Sequence, residues 1–272
     1  KIYLFSNSLM KKKITSISGV TLIEILIGVV ISVIMMAAMF TSYQAVNNTY
    51  SQVIDRAKIS QTGRDIIGML VRDIRMAGFK YFDDTTKSPS NYVPILITKS
   101  SGSGCDKLEL TYGDRIYDAN KTPSITFVTY KITYECKASK IIDKKTKTTI
   151  NAFGIYKSKS KWDGSQWVAP SSSTDDLIYK DELIVDHVQD LIFIPIDEKG
   201  KIISPPPKTL NDSNKIKIVD IAFTTRSQRE FFRKAKKRDL RSLGVKSSKG
   251  YTDKFLRDSI VVSAHTRNMG LQ

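Results

Sequence analysis

The chain begins with one long apolar run, and a helical pattern continues beyond it. The run extends over residues 20–40, where the only side chains that are neither apolar nor small are Thr21, Glu24 and Ser32. As an α-helix this run is about 30 Å long, which matches the hydrocarbon core of a bilayer. Apolar residues then recur at three- and four-residue steps, with charged residues such as Asp73 on the other side, as far as a stop at Gly78. The pattern predicts one helix over about 20–77, with residues 46–78 as its amphipathic half.

Beyond residue 91 the pattern changes to period two. Apolar and polar side chains alternate over residues 128–136, which is typical of a half-buried strand. Further strand-like runs begin at residues 92, 107, 183, 216 and 259. The stretches between them are predicted loops, including the turn W-D-G-S-Q-W at 162–167. Because one long helix precedes the strands without βαβ alternation, the sequence predicts an α+β fold. In this fold the amphipathic half of the helix packs on an antiparallel β-sheet domain, and residues 79–272 form a β-rich globular head.

The composition adds a strong positive charge to this picture. The 272 residues, 41% of them hydrophobic, suit one folded domain plus a membrane segment. The formal net charge is +16, so nucleic acid, lipid head groups and acidic protein surfaces are all candidate partners. The two cysteines, Cys105 and Cys136, do not have the spacing of a metal site. Cys136 shares its strand face with apolar residues, and outside the cytoplasm we favour a disulfide between the two cysteines over two buried thiols.

The charges beside the apolar run predict its orientation. Lys11, Lys12 and Lys13 precede the run, and no comparable cluster follows it. The positive-inside rule therefore places the N-terminus in the cytoplasm and the head on the other side of the inner membrane, in the periplasm. No small-x-small cleavage signal follows the run, so we expect the run to stay attached as a single-pass helix. Met10, which directly precedes the lysines, has the position of a start residue, with residues 1–9 upstream of it.

Glu24 does not fit a plain membrane anchor. A charged side chain at the centre of a membrane helix costs about 2.5–3.5 kcal/mol on insertion scales, and less near an end. Such residues are usually paired. A free amino group on Val20, four residues earlier, would be a suitable partner, and a neighbouring copy of the chain could also supply one. Either pairing requires cleavage of the chain between Gly19 and Val20.

The residues around this bond resemble a known processing signal. A lysine-rich leader followed by Gly19-Val20-Thr21-Leu22-Ile23-Glu24 is similar to the class III signal of type IV pilins and pseudopilins. The resemblance implies that residues 1–19 are a leader, that prepilin peptidase cleaves after Gly19, and that the same enzyme methylates the new N-terminus at Val20. It also implies the type IV pilin fold and assembly contacts at Thr21, Leu22 and Glu24, the last neutralising the N-terminus of an adjacent subunit. Residues 20–45 would then be transmembrane before assembly and part of the filament core afterwards.

Further segments narrow the resemblance to one group. The sequence RDIRMAGF at 72–79, the segments that begin at residues 181, 216 and 251, and the ending at Arg267-Asn268 resemble PilW-type minor pilins. This implies a structural subunit that helps to initiate pilus assembly or sits at the fibre tip, in motility, adhesion or DNA uptake. The implied partners are prepilin peptidase, other minor and major pilins, the inner-membrane assembly platform and, before assembly, the lipid bilayer. The implied final location is the extracellular pilus.

Two other functions share part of this evidence. A minor pseudopilin of a type II secretion system would have the same N-terminal features. A signal-anchored periplasmic protein with a basic segment that contacts nucleic acid would have the same apolar run, but would keep its leader.

The sequence offers little for catalysis. His187 and His265 stand alone, and no nucleotide-binding, metalloprotease or hydrolase motif occurs. We therefore predict that the protein is not an enzyme, and we assign it no catalytic, metal-binding or cofactor-binding residues, leaving open a calcium site built from distant residues.

The strongest basic feature is the segment 226–250, in which ten Lys or Arg residues accompany two aromatic ones. Its residues could contact an anionic partner, with an acidic neighbouring pilin favoured over DNA. Alternatively, the segment is a solvated insertion loop before the last strand. The candidate contact residues are Arg229, Arg233, Lys234, Lys236, Lys237, Arg238 and Arg241.

Overall fold

The computed structural model describes residues 19–82, 84, 89, 92–100, 104–120, 122–142, 147, 149–150, 152–168, 177–232, 234–240 and 249–269. Two helices, α1 and α2, span Leu22–Met76 and Leu210–Ser213. The strands are β1 Ile95–Thr98, β2 Lys107–Tyr117, β3 Ile125–Ala138, β4 Phe153–Trp162, β5 Trp167–Val168, β6 Tyr179–Ile196, β7 Ile218–Glu230, β8 Lys236–Leu240, β9 Lys249–Asp253 and β10 Phe255–His265. The single long helix over about 20–77 is confirmed. Gly78 follows its last turn with a φ of 78°, a conformation that glycine adopts without strain.

The chain divides into two compact units, residues 1–51 and 52–272. In the first unit, the described residues form the start of α1, and all of them are exposed. The second unit contains the rest of α1 and all the described strands.

Among the described residues, the main sheet has eight strands and curls around the second half of α1. Its order is β1-β2-β3-β4-β6-β7-β10, and β5 pairs with β4. Every neighbouring pair is antiparallel. The short edge strand β1 is held by the buried Ser213 of α2, whose hydroxyl accepts from Ile95 N at 3.2 Å and donates to Ile95 O at 3.0 Å. The strand begins three residues later than predicted because Pro94 has no N–H to contribute to a ladder.

Strand β4 was not predicted, and its composition explains why. The side chains of Lys157, Lys159 and Lys161 alternate with serines, so the stretch lacks the apolar alternation that identifies a strand. Its partner β5 follows through the predicted turn, where Asp163 Oδ1 accepts hydrogen bonds from Ser165 N and Gln166 N at 2.8 Å each. These bonds hold the pKa of Asp163 below its usual value.

Strand β6 begins at Tyr179, four residues before the predicted run, and its register with β4 shifts at three places. Asp181 and His187 lie at these irregularities with φ values of 54° and 63°. Non-glycine residues rarely adopt this left-handed conformation, so the ladder on both sides must hold them there.

The core lies between the concave face of the sheet and the second half of α1. Leu70 and Ile74 of the helix are fully buried against a cluster that includes Phe193 and Phe223. Gly63 allows the helix to approach closely, because a Cβ at this position would lie 2.5 Å from Ile260 Cδ1 of β10. The expectation that Asp73 lies on the solvated side of the helix is wrong, since this residue is fully buried.

Candidate functional site

The start of α1 is capped by two of the predicted assembly residues. Thr21 is the residue before the first helical position, and Glu24 is the third residue of the helix. Glu24 Oε2 accepts from both the backbone N and the Oγ1 of Thr21, each at 2.8 Å, while Thr21 Oγ1 accepts from Glu24 N at 3.4 Å. This reciprocal arrangement is a capping box, which satisfies N–H groups that have no partner within the helix. The T-x-x-E spacing was the available sequence signal for this role, which the sequence interpretation missed.

The predicted cleavage position is accessible. Gly19 and Val20 are both exposed and precede the first helical residue. Apart from its chain neighbours, no described atom lies within 4 Å of the place where a Cβ of Gly19 would be. The remaining leader residues, 1–18, lie outside the described part of the chain. Because both residues precede α1, the bond between them lies outside the helix.

The first unit presents an exposed apolar surface between residues 22 and 40, in which Glu24 is the only charged residue. The side chains of Leu22, Ile23, Ile25 and Leu26 are 82%, 58%, 58% and 54% exposed, and the same character continues to Phe40. This part of α1 is long and apolar enough to cross a membrane, by length and composition alone. Two of its polar side chains form hydrogen bonds to the backbone of the same helix. Ser32 Oγ donates to Gly28 O at 2.7 Å, and Thr41 Oγ1 donates to Ala38 O at 2.8 Å. Internal bonds of this kind let hydroxyls enter a medium without water.

The disulfide favoured from the sequence is present between Cys105 and Cys136, with 6.0 Å between the Cα atoms. Cys105 precedes β2 and bridges Leu191 of β6, while Cys136 belongs to β3. The bond therefore ties the segment before β2, which also bridges β6, to β3.

The next residue, Asp106, is buried and fixes the same segment. Its Oδ2 accepts from Phe193 N at 3.0 Å and from Lys99 Nζ at 2.7 Å, and its Oδ1 accepts from Ser100 N at 3.1 Å. The backbone adds a bond from Asp106 N to Leu191 O at 2.7 Å. The start of β2 is thus anchored on β6 by both side-chain and main-chain bonds.

A buried ion pair links α1 to the sheet. Asp73 is fully buried, and its Oδ2 lies 2.8 Å from Lys157 Nζ on β4. The same oxygen accepts a hydrogen bond from Tyr134 Oη on β3 at 2.6 Å. Burial, with the adjacent carboxylate, raises the pKa of Tyr134, and the same two causes raise the pKa of Tyr179 to about 12. Sequence reasoning missed this cluster, because its three members lie far apart in the chain.

The basic segment contains strands among its described residues. Residues 226–230 complete β7, and β8 and β9 pair as a separate antiparallel two-stranded ribbon. Of the candidate contact residues, Arg229 lies in β7, Lys234 precedes the ribbon, and Lys236, Lys237 and Arg238 lie in β8, whereas Arg233 and Arg241 lie outside the described residues. The side chains of Lys234 and Lys237 are exposed. A contact between this segment and an anionic partner stays a prediction.

The ribbon is tied to the main sheet at its base. Arg257 of β10 forms a two-pronged ion pair with Asp253, at 2.8 and 2.7 Å, and stacks 4.0 Å above the ring of Tyr251. Tyr251 Oη donates to Asp190 Oδ2 at 3.1 Å. The hydrogen bonds from the Arg257 guanidinium hold the pKa of Asp253 below its usual range.

The two histidines lie in different surroundings. His265 is exposed on β10, whereas His187 is buried at the bulge of β6, and burial lowers its pKa. The buried site therefore favours the neutral imidazole over the charged form. Within the described ranges, no group of three or more His, Cys, Asp or Glu side chains could hold a metal ion.

Comparison with known proteins identifies the fold. No protein-family model matches the chain, and no curated protein matches it. Among solved structures, it is similar to a type IV-like pilin from Thermus thermophilus, with a TM-score of 0.51 and 11% sequence identity over 77% of this chain and 96% of that chain. The long N-terminal helix and curled antiparallel sheet are thus a type IV pilin-like fold.

Proposed function

We propose that the chain is a pilin-like structural subunit, a minor pilin that helps to initiate a type IV pilus or sits at its tip. The observation that carries the proposal is the start of α1, where an exposed and otherwise apolar surface contains one carboxylate, a single turn from the helix start. In this proposal, the first part of α1 lies in the inner membrane with the head in the periplasm. It moves into the filament core on assembly.

The apolar surface of the first unit is suited both to the membrane and to the filament core. Exposed aliphatic side chains are unfavourable in water by about 25 cal/mol for each Å² of apolar area, so the first unit needs lipid or protein around it. Lipid tails and neighbouring apolar helices satisfy the same requirement. The internally bonded Ser32 and Thr41 hydroxyls are compatible with either environment. One surface can therefore serve first as an anchor and then as an assembly contact.

The geometry of Glu24 supports its proposed part in assembly. Cleavage after Gly19 would place a positive amino group on Val20, one residue before the capping threonine. The Glu24 carboxylate would then have two functions: it caps its own helix through Thr21, and its charge attracts the amino terminus of a neighbouring subunit. A buried carboxylate in a filament core needs such a partner.

Processing is the first test. The full chain is produced together with a prepilin peptidase, extracted from the membrane and analysed by intact mass and N-terminal sequencing. We expect a mature chain that begins at Val20 and carries one added methyl group, because the bond after Gly19 is accessible and lies outside the helix. A membrane-extracted chain that still carries its leader would contradict the proposal and would favour a signal-anchored protein.

The second test separates the two functions of Glu24. Glu24→Gln keeps a side chain that can complete the capping box but removes the charge. We expect the variant to be cleaved as the parent is, yet to be missing from sheared pilus fractions in quantitative immunoblots. The matched control is Ser32→Ala, which removes another polar side chain of the same apolar run and leaves the carboxylate, so that this subunit should still enter the fibre. Normal incorporation of Glu24→Gln would show that the charge has no part in assembly.

A further inference from the structure

The structure contains a large open cavity beside the C-terminal end of α1. The cavity has a volume of about 900 Å³, and its walls come from α1, the segment that follows it, β2 and the end of the chain after β10. The lining residues that define its chemistry are Arg72, Arg75, Phe79, Tyr81, Asp114 and Arg267. We call this cavity the arginine groove. Its volume is far greater than a single small anion requires and suits a segment of several residues.

The charge of the groove is strongly positive. Its lining holds three guanidinium groups and one carboxylate among the described residues. Arg75 and Arg267 are exposed, and neither has an ion-pair partner in the described part of the chain. Arg72 contacts Asp73 through Nε at 3.3 Å, but its side chain is 68% exposed. Unpaired guanidinium groups in one concavity present forks that match carboxylate geometry.

The groove also has an aromatic side. The rings of Phe79 and Tyr81 meet edge to face at 4.9 Å, and Tyr81 lies 5.8 Å from the ring of Phe127 on β3. Arg115 stacks on Tyr81 at 5.2 Å. Phe82, beside them in the chain, is completely exposed. Exposed tyrosine, phenylalanine and arginine together are typical of the residues that dominate protein–protein binding.

The walls of the groove are held in place. Gly113 N donates to Phe79 O at 2.6 Å and Gly78 N donates to Thr111 O at 2.9 Å, which fixes the segment after α1 on β2. Asn268 Nδ2 donates to Arg75 O at 2.9 Å, which fixes the end of the chain on the helix. The groove is therefore formed before any partner binds, and binding need not include the cost of ordering it.

We propose that the arginine groove binds an acidic segment of a different protein. The inference rests on the proposed function for the identity of that protein, a neighbouring subunit of the fibre. A second copy of this chain is an unsuitable partner, because its net charge of +16 would repel the groove. Asp114 favours a peptide over a nucleic acid, since its carboxylate can accept a backbone N–H, a donor that a sugar-phosphate backbone does not offer. Carboxylates of the partner would pair with Arg75 and Arg267, and its apolar side chains would lie on the aromatic side.

The test measures binding of a fluorescein-labelled hexaglutamate peptide to the full chain in non-ionic detergent, by fluorescence anisotropy. We expect the double variant Arg75→Gln/Arg267→Gln to bind about tenfold more weakly, because it loses two charge-assisted contacts. The matched control is Lys180→Gln/Lys208→Gln, which removes the same charge at exposed positions outside the groove and should leave the affinity nearly unchanged.

Two outcomes would overturn the inference. Equal weakening in both double variants would show that the peptide responds only to the overall charge of the protein. Tighter binding of a single-stranded oligonucleotide than of hexaglutamate, lost in Arg75→Gln/Arg267→Gln, would assign the groove to nucleic acid instead. Because this assay depends on the head and the processing assay depends on the leader, either can fail while the other succeeds.

Discussion

Asp73→Ala is expected to destabilise the second unit by about 3–5 kcal/mol, because it leaves the ammonium group of Lys157 buried without its partner. The Lys157 side chain is only 7% exposed and lies 2.8 Å from the carboxylate, so water cannot replace the lost charge without opening the core. The variant also removes the acceptor of the Tyr134 hydroxyl. Urea unfolding of the full chain in detergent, followed by tryptophan fluorescence, measures the effect, since Trp162 and Trp167 both lie in this unit.

The double variant Asp73→Leu/Lys157→Met separates the ion pair from the space that it fills. Replacing both charges by apolar side chains of similar size removes the cost of burying them, and buried pairs treated in this way often keep or gain stability. We therefore expect the double variant to recover most of the loss seen in Asp73→Ala. If Asp73→Ala lost less than about 1 kcal/mol, the pair would behave like a solvated surface contact, and its structural importance would be refuted.

The sequence predicted those helices and strands in which the buried residues are apolar and recur at the spacing of the element. Leu70 and Ile74 repeat at helical spacing, so α1 could be placed within two residues at each end. The runs that became β3, β6, β7 and β10 alternate or are continuously apolar, because one or both faces of those strands are covered. In these elements, local composition and tertiary position agree.

The unpredicted parts are those in which contact with a distant residue allows a polar side chain to be buried. The local sequence predicts that Lys157 is exposed. It is buried because the fold brings it against Asp73, which lies more than eighty positions earlier in the chain. Asp73 was assigned to the solvated side of the helix for the same reason. Strand β4 was missed together with its lysines, since one of them is neutralised by the helix and Lys159 lies 3.9 Å from the ring of Tyr130. Contacts between residues far apart in the chain depend on the completed fold, and the periodicity of the local sequence does not predict them.

The same distinction between local and distant contacts decides which residues of the candidate site could be predicted from the sequence. The capping box and the apolar run are contiguous in sequence, so the residues at the start of α1 could be singled out without a structure. The arginine groove brings together Arg72, Asp114 and Arg267 from three separate parts of the chain. The basic segment was predictable only in part. Its charge was evident from the sequence. Its two-stranded ribbon, however, depends on pairing between β8 and β9 and on the contact of Arg257 with Asp253.

Removing the disulfide with Cys105→Ser/Cys136→Ser is expected to lower the free energy of unfolding by about 3–4 kcal/mol. The bond closes a loop with a sequence separation of 31, and opening it gives the unfolded chain more conformations. The native segment should stay in place, since Asp106 still holds it through Phe193 N and Lys99. Urea midpoints of the parent and the variant, with circular dichroism of both folded states, measure the two expectations separately.

Reduction of the parent protein is the matched experiment. A reducing agent added to the parent should lower its urea midpoint to that of Cys105→Ser/Cys136→Ser and should not change the midpoint of the variant. Because the anchors around Asp106 do not depend on the sulfur atoms, the folded spectrum should be the same before and after reduction. A reduced parent with an unchanged midpoint would contradict the stabilising role of the bond. A variant that loses its folded spectrum would instead show that the disulfide, and not Asp106, holds the start of β2 against β6.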